Sequence, residues 1–468
     1  MKAIVAAVAL AAGVAGSARA QTVTSTADER TALAVTVYND GRGLVREERT
    51  VTLPAGVSEV RFVDVAEKVE PSSVRTAVTD GAAVRVLEQN YEYDLLSPQK
   101  MLDKFLGRSL TLVRTRTRDN ATYDEEVRAK LLSTTSGTVW EVDGNIVTNP
   151  SYDRLVFPNV PDNLVARPTL AWLVEATGVG ARRLETAYLT QGMTWRADYI
   201  LSLDAAETKA GLAGWVTIDN QSGAAYDKAT LKLVAGDVQR ASSSAVPVYS
   251  AAKTRAGEPD LAAEALFEYH LYALPRPTTL KDRQTKQVRL LDVSGGIGIA
   301  KEYRLEAASA YHERWNATQK EKVAVVLRLR NDAASGLGSP LPGGVIRVYK
   351  RDSGGNAQLV GEDRVEHTPR DEELVVTAGN AFDISAERTQ TDFKKLSDTV
   401  MESAYEIRVR NHKSEAVSVR VIETLGGDWS ILESSLPHKK AAAFAAEFVM
   451  PVAARQEAVL TYRARVSY

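Results

Sequence analysis

The sequence predicts a mainly β protein, built from serial antiparallel β-sandwich and small β-barrel-like modules with few short helices. Three observations predict it. Apolar side chains fall on every second residue in Trp195, Ala197, Tyr199, Leu201 and Leu203, the period of a half-buried strand and not of a helix. The plan recurs in runs that end at Asn220, Asn331 and Asn411. The last residues, Leu460, Tyr462, Ala464, Val466 and Tyr468, keep the same alternation.

The 468 residues, 44% hydrophobic and 25% charged, have an ordinary globular composition, and at about 100 to 200 residues per domain they make about three domains. A formal charge of -2 supplies no electrostatic reason to bind nucleic acid. Met1 and Lys2 open a short basic start, residues 3–16 are uncharged, and Ala18-Arg19-Ala20 fits a small-x-small cleavage site. We therefore expect a signal peptide over 1–20 and a periplasmic, envelope-associated or secreted protein. The leader is too short for a hydrocarbon core, which needs about 20 helical residues, so the mature chain is expected to carry no integral membrane segment. Without cysteine it can form no disulfide and offers no thiol for nucleophilic attack or lipid attachment.

The first module, 21–95, is read as a β-sandwich: Leu33, Val35 and Val37 alternate, and Asn39-Asp40-Gly41 supplies a turn tolerant of positive φ. Ser97-Pro98 is an N-cap and first helical residue, with Met101, Leu102 and Phe105 on one face and Gly107 as the stop. A small barrel-like module follows over 107–168. In it Arg114, Arg116 and Arg118 share one strand face, a basic stripe that could meet an acidic polymer. The competing reading turns the hairpin at Asp119-Asn120-Ala121, which sets Arg116 opposite Asp124 and Arg114 opposite Glu126 as ion pairs on a wet face. The third module, 180–320, carries the organising strands and an Ala-, Ser- and Pro-rich stretch, 241–264, expected to be a mobile loop. The last, 321–468, alternates almost throughout and reads as a sandwich. Its terminal strand has the pattern of an outer-membrane barrel strand, but a wet face bearing Arg463 and Arg465 explains it without lipid. The asparagines that end equivalent strands are expected to be structural.

The stretches TQGMTWRADYILSLD, GWVTIDNQSG, LVAGDVQR, FEYHLYALPRPTTLKDRQTKQVRLL, YEIRVRNHKSEAVSVRVIE and GDWSI resemble the bacterial family catalogued as domain of unknown function 4139, over residues 180–468. Longer members, similar to the mucoidy-inhibitor proteins, carry a coiled coil ahead of this region, and this sequence has no sustained heptad there. The resemblance implies an exported, β-rich envelope protein and brings no catalytic residues.

Motifs for chemistry are sparse. His270, His312, His367, His412 and His438 stand at least 26 residues apart, so no HExxH or HxH spacing exists, and no metal or cofactor is expected. Ser97-Pro98-Gln99-Lys100 fits SxxK and Ser397-Asp398-Thr399 echoes SDN, but that acyl-transfer fold needs a large helical domain that this pattern lacks. Gly295-Gly296-Ile297-Gly298 reads as a turn. Adjacent acids such as Glu125-Glu126 point to opposite strand faces and cannot act as a glycosidase pair. Of Trp195, Trp215 and Trp429, which could form a sugar-stacking platform, Trp195 shares a face with Tyr199, Leu201 and Leu203 and belongs to a core. Trp215 shares its face with Ala213, Thr217 and Asp219, and is the tryptophan that suits binding. The reading is a non-catalytic envelope protein that binds or scaffolds an envelope protein or glycan, through Trp215 or through Arg114, Arg116 and Arg118. The alternative is an envelope glycan- or peptide-directed hydrolase.

Overall fold

The computed structural model describes residues 21–468 apart from 82, 120, 162–163, 237–261, 267–268, 308–310, 312 and 315–316. The expected signal peptide and most of the expected loop 241–264 lie outside the described residues. The end of that stretch differs from expectation: Ala262–Leu266 is a strand, because its backbone pairs antiparallel with Tyr269–Ala273.

The fold is mainly β, with antiparallel sheets and one α-helix, Pro98–Lys104, among the described residues. Alternation along each strand buries one side. In Met193–Leu203, Trp195, Ala197, Tyr199 and Leu201 are buried while Arg196, Asp198, Ile200 and Ser202 face outward. Three sheets enclose one apolar core, to which Leu327, Leu329, Leu374 and Val376 of a fourth, nine-stranded sheet also contribute. An eight-stranded sheet presents one face to it, with Leu33, Val35, Val37, Val45, Leu231 and Leu233 inward. A four-stranded sheet containing Phe62 and Trp172 covers one half, where the Arg49 guanidinium lies 3.5 Å from the Phe62 ring centroid. A five-stranded sheet covers the other, where Trp195 meets Tyr272 edge to face. Strands 30–38 and 42–53 pair with strands 180–191 and 226–235, so this body is closed by segments far apart in the chain.

The helix and a second five-stranded sheet, Ser109–Arg118 to Arg154–Val156, form a small body with its own core around Phe105, Leu112, Leu131 and Trp140. This body is an insertion. It leaves the four-stranded sheet after Val84–Glu92 and returns at Thr169–Ala176, two strands that are paired neighbours. The two connections touch where Leu96 N–H donates to Val165 O at 2.9 Å.

Nine strands from Ala300–Ala307 to Glu457–Ser467 make a near-closed, barrel-like sheet. Its edge strands, Asp428–Ser434 and His438–Ala442, are consecutive in the chain, so a short turn brings the two edges together around one core. That core holds a buried polar network. Arg388 donates to both Glu423 oxygens at 3.1 Å, Tyr311 donates its hydroxyl to Glu423 at 3.0 Å, and Tyr405 lies 3.7 Å beneath the guanidinium. Burial pushes the Tyr462 phenol well above its ordinary value, and the Glu423 charge beside it acts in the same direction. Outside, the barrel is lined with ion pairs: Glu302 binds Arg304, Arg328 and Arg420, and Glu457 binds Arg408 and Arg410. A lipid-spanning barrel needs apolar side chains there. Among the described residues no helix is long and apolar enough to cross a membrane.

Two local expectations are corrected. The hairpin at Asp119 pairs Arg118 with Ala121, Arg116 with Tyr123 and Arg114 with Glu125, one residue tighter than expected, because Asp119 takes a positive φ of 51° in a two-residue turn. Gly295 and Gly296 do not turn the chain. They lie within strand Gln284–Gly298, where the register shifts against Ala210 and Leu212, and Gly296 at φ 94° allows that bulge.

The three asparagines are buried, and each does the same work. Asn411 donates to the carbonyls of Glu415, Val452 and Ala453 and accepts from Lys413 N–H at 3.0 Å. Asn220 donates to Ala224 and Lys281, and Asn331 to Ser339, Thr368 and Pro369. After each one the chain crosses to another strand and pairs parallel: 226–235 with 30–38, 344–351 with 193–203, and 417–424 with 300–307.

Candidate functional site

The outward face of the sheet Gln284–Gly298, Lys209–Asn220, Met193–Leu203, Gly344–Arg351 and Ala357–Val365 gathers polar side chains around one aromatic ring. Register decides which residues line up. Arg289 pairs with Trp215, Trp215 with Asp198, Asp198 with Val345 and Val345 with Arg364, so these five form one row across all five strands. The next row places Gln287, Thr217 and Arg196 side by side.

These side chains hold one another in place. Thr217 Oγ1 donates to Asp198 Oδ2 at 2.7 Å and accepts from Gln287 Nε2 at 3.1 Å. Arg196 Nη1 reaches Asp219 at 3.2 Å and its Nε lies 3.6 Å from Asp198, while Arg347 binds Glu362 at 2.7 Å. Thr217 is thereby buried although it stands on the outward face. Trp215 is half-buried within this lattice, its ring centroid 5.3 Å from the Arg289 guanidinium, which is itself paired with Asp292. Beneath the sheet Tyr199 donates to Pro342 O at 2.7 Å, and burial raises its phenol well above the ordinary value.

The indole N–H of Trp172, Trp195 and Trp429 donates to Gln89 Oε1, Val234 O and Ala443 O, whereas those of Trp140 and Trp215 meet no acceptor among the described residues, and of these two only Trp215 is reached by solvent. It is a free donor on an accessible ring. Trp195 points into the core and Trp429 belongs to the barrel sheet, so the three tryptophans share no platform.

One end of this face opens into a slot of about 390 Å³. The strand between Met193–Leu203 and Ala357–Val365 pairs with Met193–Leu203 only from Gly344 onward, and the slot lies where residues 194–197 and 364–367 flank Gly343 and Gly344. Arg196, Arg364, Glu366 and His367 line it, and Gly343 N–H donates to His367 Nδ1 at 3.0 Å. That bond places the neutral ring's proton on Nε2.

Arg114, Arg116 and Arg118 sit on the inserted body, in a different sheet and outside the lattice around Trp215. Arg114 donates to Ser151 O at 2.6 Å and Arg116 binds Glu125 at 3.0 Å, while Arg118 approaches Asp119 at 3.7 Å. Ser97 Oγ caps the helix by accepting from Lys100 N–H at 3.2 Å, and Lys100 Nζ binds Asp94 at 2.7 Å, so SxxK is here a cap and an ion pair. Among the described residues no three His, Asp or Glu side chains stand close enough to hold a metal ion. The partners of Trp215 were missed by sequence reasoning, yet Arg196, Asp198, Gln287 and Arg289 occupy the polar phase of alternating strands and could have been found there. Nothing in the sequence marks Arg364 or His367, because the hairpin of 344–351 and 357–365 joins the Trp215 strands only through the parallel crossover pairing of 344–351 with 193–203.

The family model described as Domain of unknown function (DUF4139) matches residues 184–427. The chain belongs to the DUF4139 family. The whole Trp215 lattice lies within the DUF4139 match, as does most of the barrel. The barrel strand Glu457–Ser467 lies beyond the match but pairs with Val400–Asn411 inside it. No curated protein matches the chain.

Proposed function

We propose that this protein is an exported, non-catalytic component of the bacterial cell envelope that binds glycan on the sheet face centred on Trp215. The carrying observation is the accessible indole whose N–H meets no acceptor among the described residues, set in a lattice of side chains already fixed by mutual hydrogen bonds. A sugar ring offers a C–H face to an aromatic plane and hydroxyls to the donors and acceptors around it. Because Asp198, Thr217, Gln287 and Arg196 are held in place before any ligand arrives, little rotamer entropy is lost on binding. Residues 1–20 support export, and the charged exterior of the barrel supports a role outside the lipid phase.

The test is a glycan array probed with the chain starting at Gln21, alongside Trp215→Ala. At least one oligosaccharide class should bind, and the substitution should weaken it by about 2 kcal/mol, roughly 30-fold. An array with no binding, or binding indifferent to Trp215, overturns the glycan reading. Recovery of the protein with its leader intact in the cytoplasmic fraction overturns the compartment.

A further inference from the structure

We propose that the ligand of this face is an acidic oligosaccharide, whose ring stacks on Trp215 while a carboxylate enters the slot at Arg364. The proposal rests on the glycan reading above and adds the charge and minimum length of the ligand.

Charge is argued from Arg364. Most arginines on this sheet are already neutralised: Arg196 by Asp219 and Asp198, Arg289 by Asp292, and Arg347 by Glu362. Arg364 has no carboxylate within ion-pair distance among the described residues, and it lines the slot with His367, whose Nε2–H is a second donor. A guanidinium presents two parallel N–H groups, the geometry that a carboxylate accepts. Glu366 stands in the same slot and its negative charge opposes a second one, which disfavours a phosphate dianion more than a single carboxylate.

Length follows from the register. Trp215 and Arg364 lie in one row with two strands between them, three interstrand steps of about 4.8 Å, or roughly 14 Å. A single sugar cannot reach from one to the other. A short chain lying across the strands can, with Asp198 and Val345 beneath it.

The experiment is calorimetric titration of the chain from Gln21 with an oligogalacturonate and with the same oligosaccharide after reduction of its carboxyl groups. The acidic form should bind about tenfold tighter, a difference of about 1.4 kcal/mol. Arg364→Ala should abolish that preference and keep the affinity for the neutral form, Arg364→Glu should reverse it, and Trp215→Ala should weaken both ligands. Equal affinity of the unaltered protein for the two forms overturns the acidic assignment and leaves the glycan reading standing. Failure to bind either form or any arrayed glycan overturns the reading beneath it. Displacement of the oligogalacturonate by equimolar inorganic phosphate, or tighter binding of an acidic peptide than of either saccharide, also sinks the proposal.

Discussion

At the scale of single residues, the asparagines connect sequence to stability most directly. Asn411 is 1% exposed and its amide meets three carbonyls and one backbone N–H, so Asn411→Ala leaves several buried polar groups without partners. We expect a loss of about 2 kcal/mol, read as a shift of the urea midpoint at unchanged slope. Asn411→Asp should cost at least as much, since a carboxylate then faces three carbonyl oxygens. An unchanged midpoint in either variant removes the crossover role. The position of these asparagines was legible as the end of each alternating run. Their partners were not: Val452 and Ala453 lie about forty residues further on, and no local pattern announces them. The buried Arg388–Glu423 pair was half legible. Arg388 continues the inward phase of Ile384 and Ala386, and Glu423 that of Val419 and Val421, so each breaks an apolar rhythm at an inward position.

At the scale of elements, strands were the most legible part because period-two alternation is a local property. Register and partner were harder, since pairing depends on turns and crossovers. A single residue at the Asp119 turn moved Arg114 and Arg116 to new opposite numbers. The terminal strand Glu457–Ser467 shows what a correctly read strand contributes. Leu460, Tyr462, Ala464 and Val466 enter the barrel core, Arg463 binds Asp392 and Arg465 binds Glu402, and the strand lies between Val400–Asn411 and Asp428–Ser434. Deleting residues 460–468 should therefore unfold the barrel, because it opens the sheet at an interior strand. The expected readout is loss of the protected barrel fragment in limited proteolysis. A truncated chain with undiminished protection contradicts this.

At the scale of the whole molecule, the Trp215 sheet and the barrel are joined by charge. Glu207, in the turn before Lys209–Asn220, binds Lys350 of its own sheet and Lys301 at the start of the barrel. Partial burial alone would raise the carboxyl; the two ammonium groups outweigh it and hold it at about 2. A carboxyl depressed in the folded state adds stability that is complete above its unfolded value of about 4.3 and disappears as pH falls through about 2. Glu207→Gln should thus lower the melting temperature at neutral pH by an amount worth about 1 kcal/mol or less, and the difference from the unaltered protein should vanish near pH 2. A gap that persists at that pH assigns the effect to packing. The assembly of bodies was the least legible feature, since strands 30–53 find their neighbours more than a hundred residues later. The inserted body carries a consequence of another kind. Its exit and entry points sit on adjacent paired strands and touch at Leu96 and Val165, so the gap its removal would leave is one that a short turn can span. The Arg114 hairpin and the Trp215 face can therefore be exchanged, lost or elaborated separately in descent, one acting as a replaceable cassette and the other as the fixed chassis that receives it.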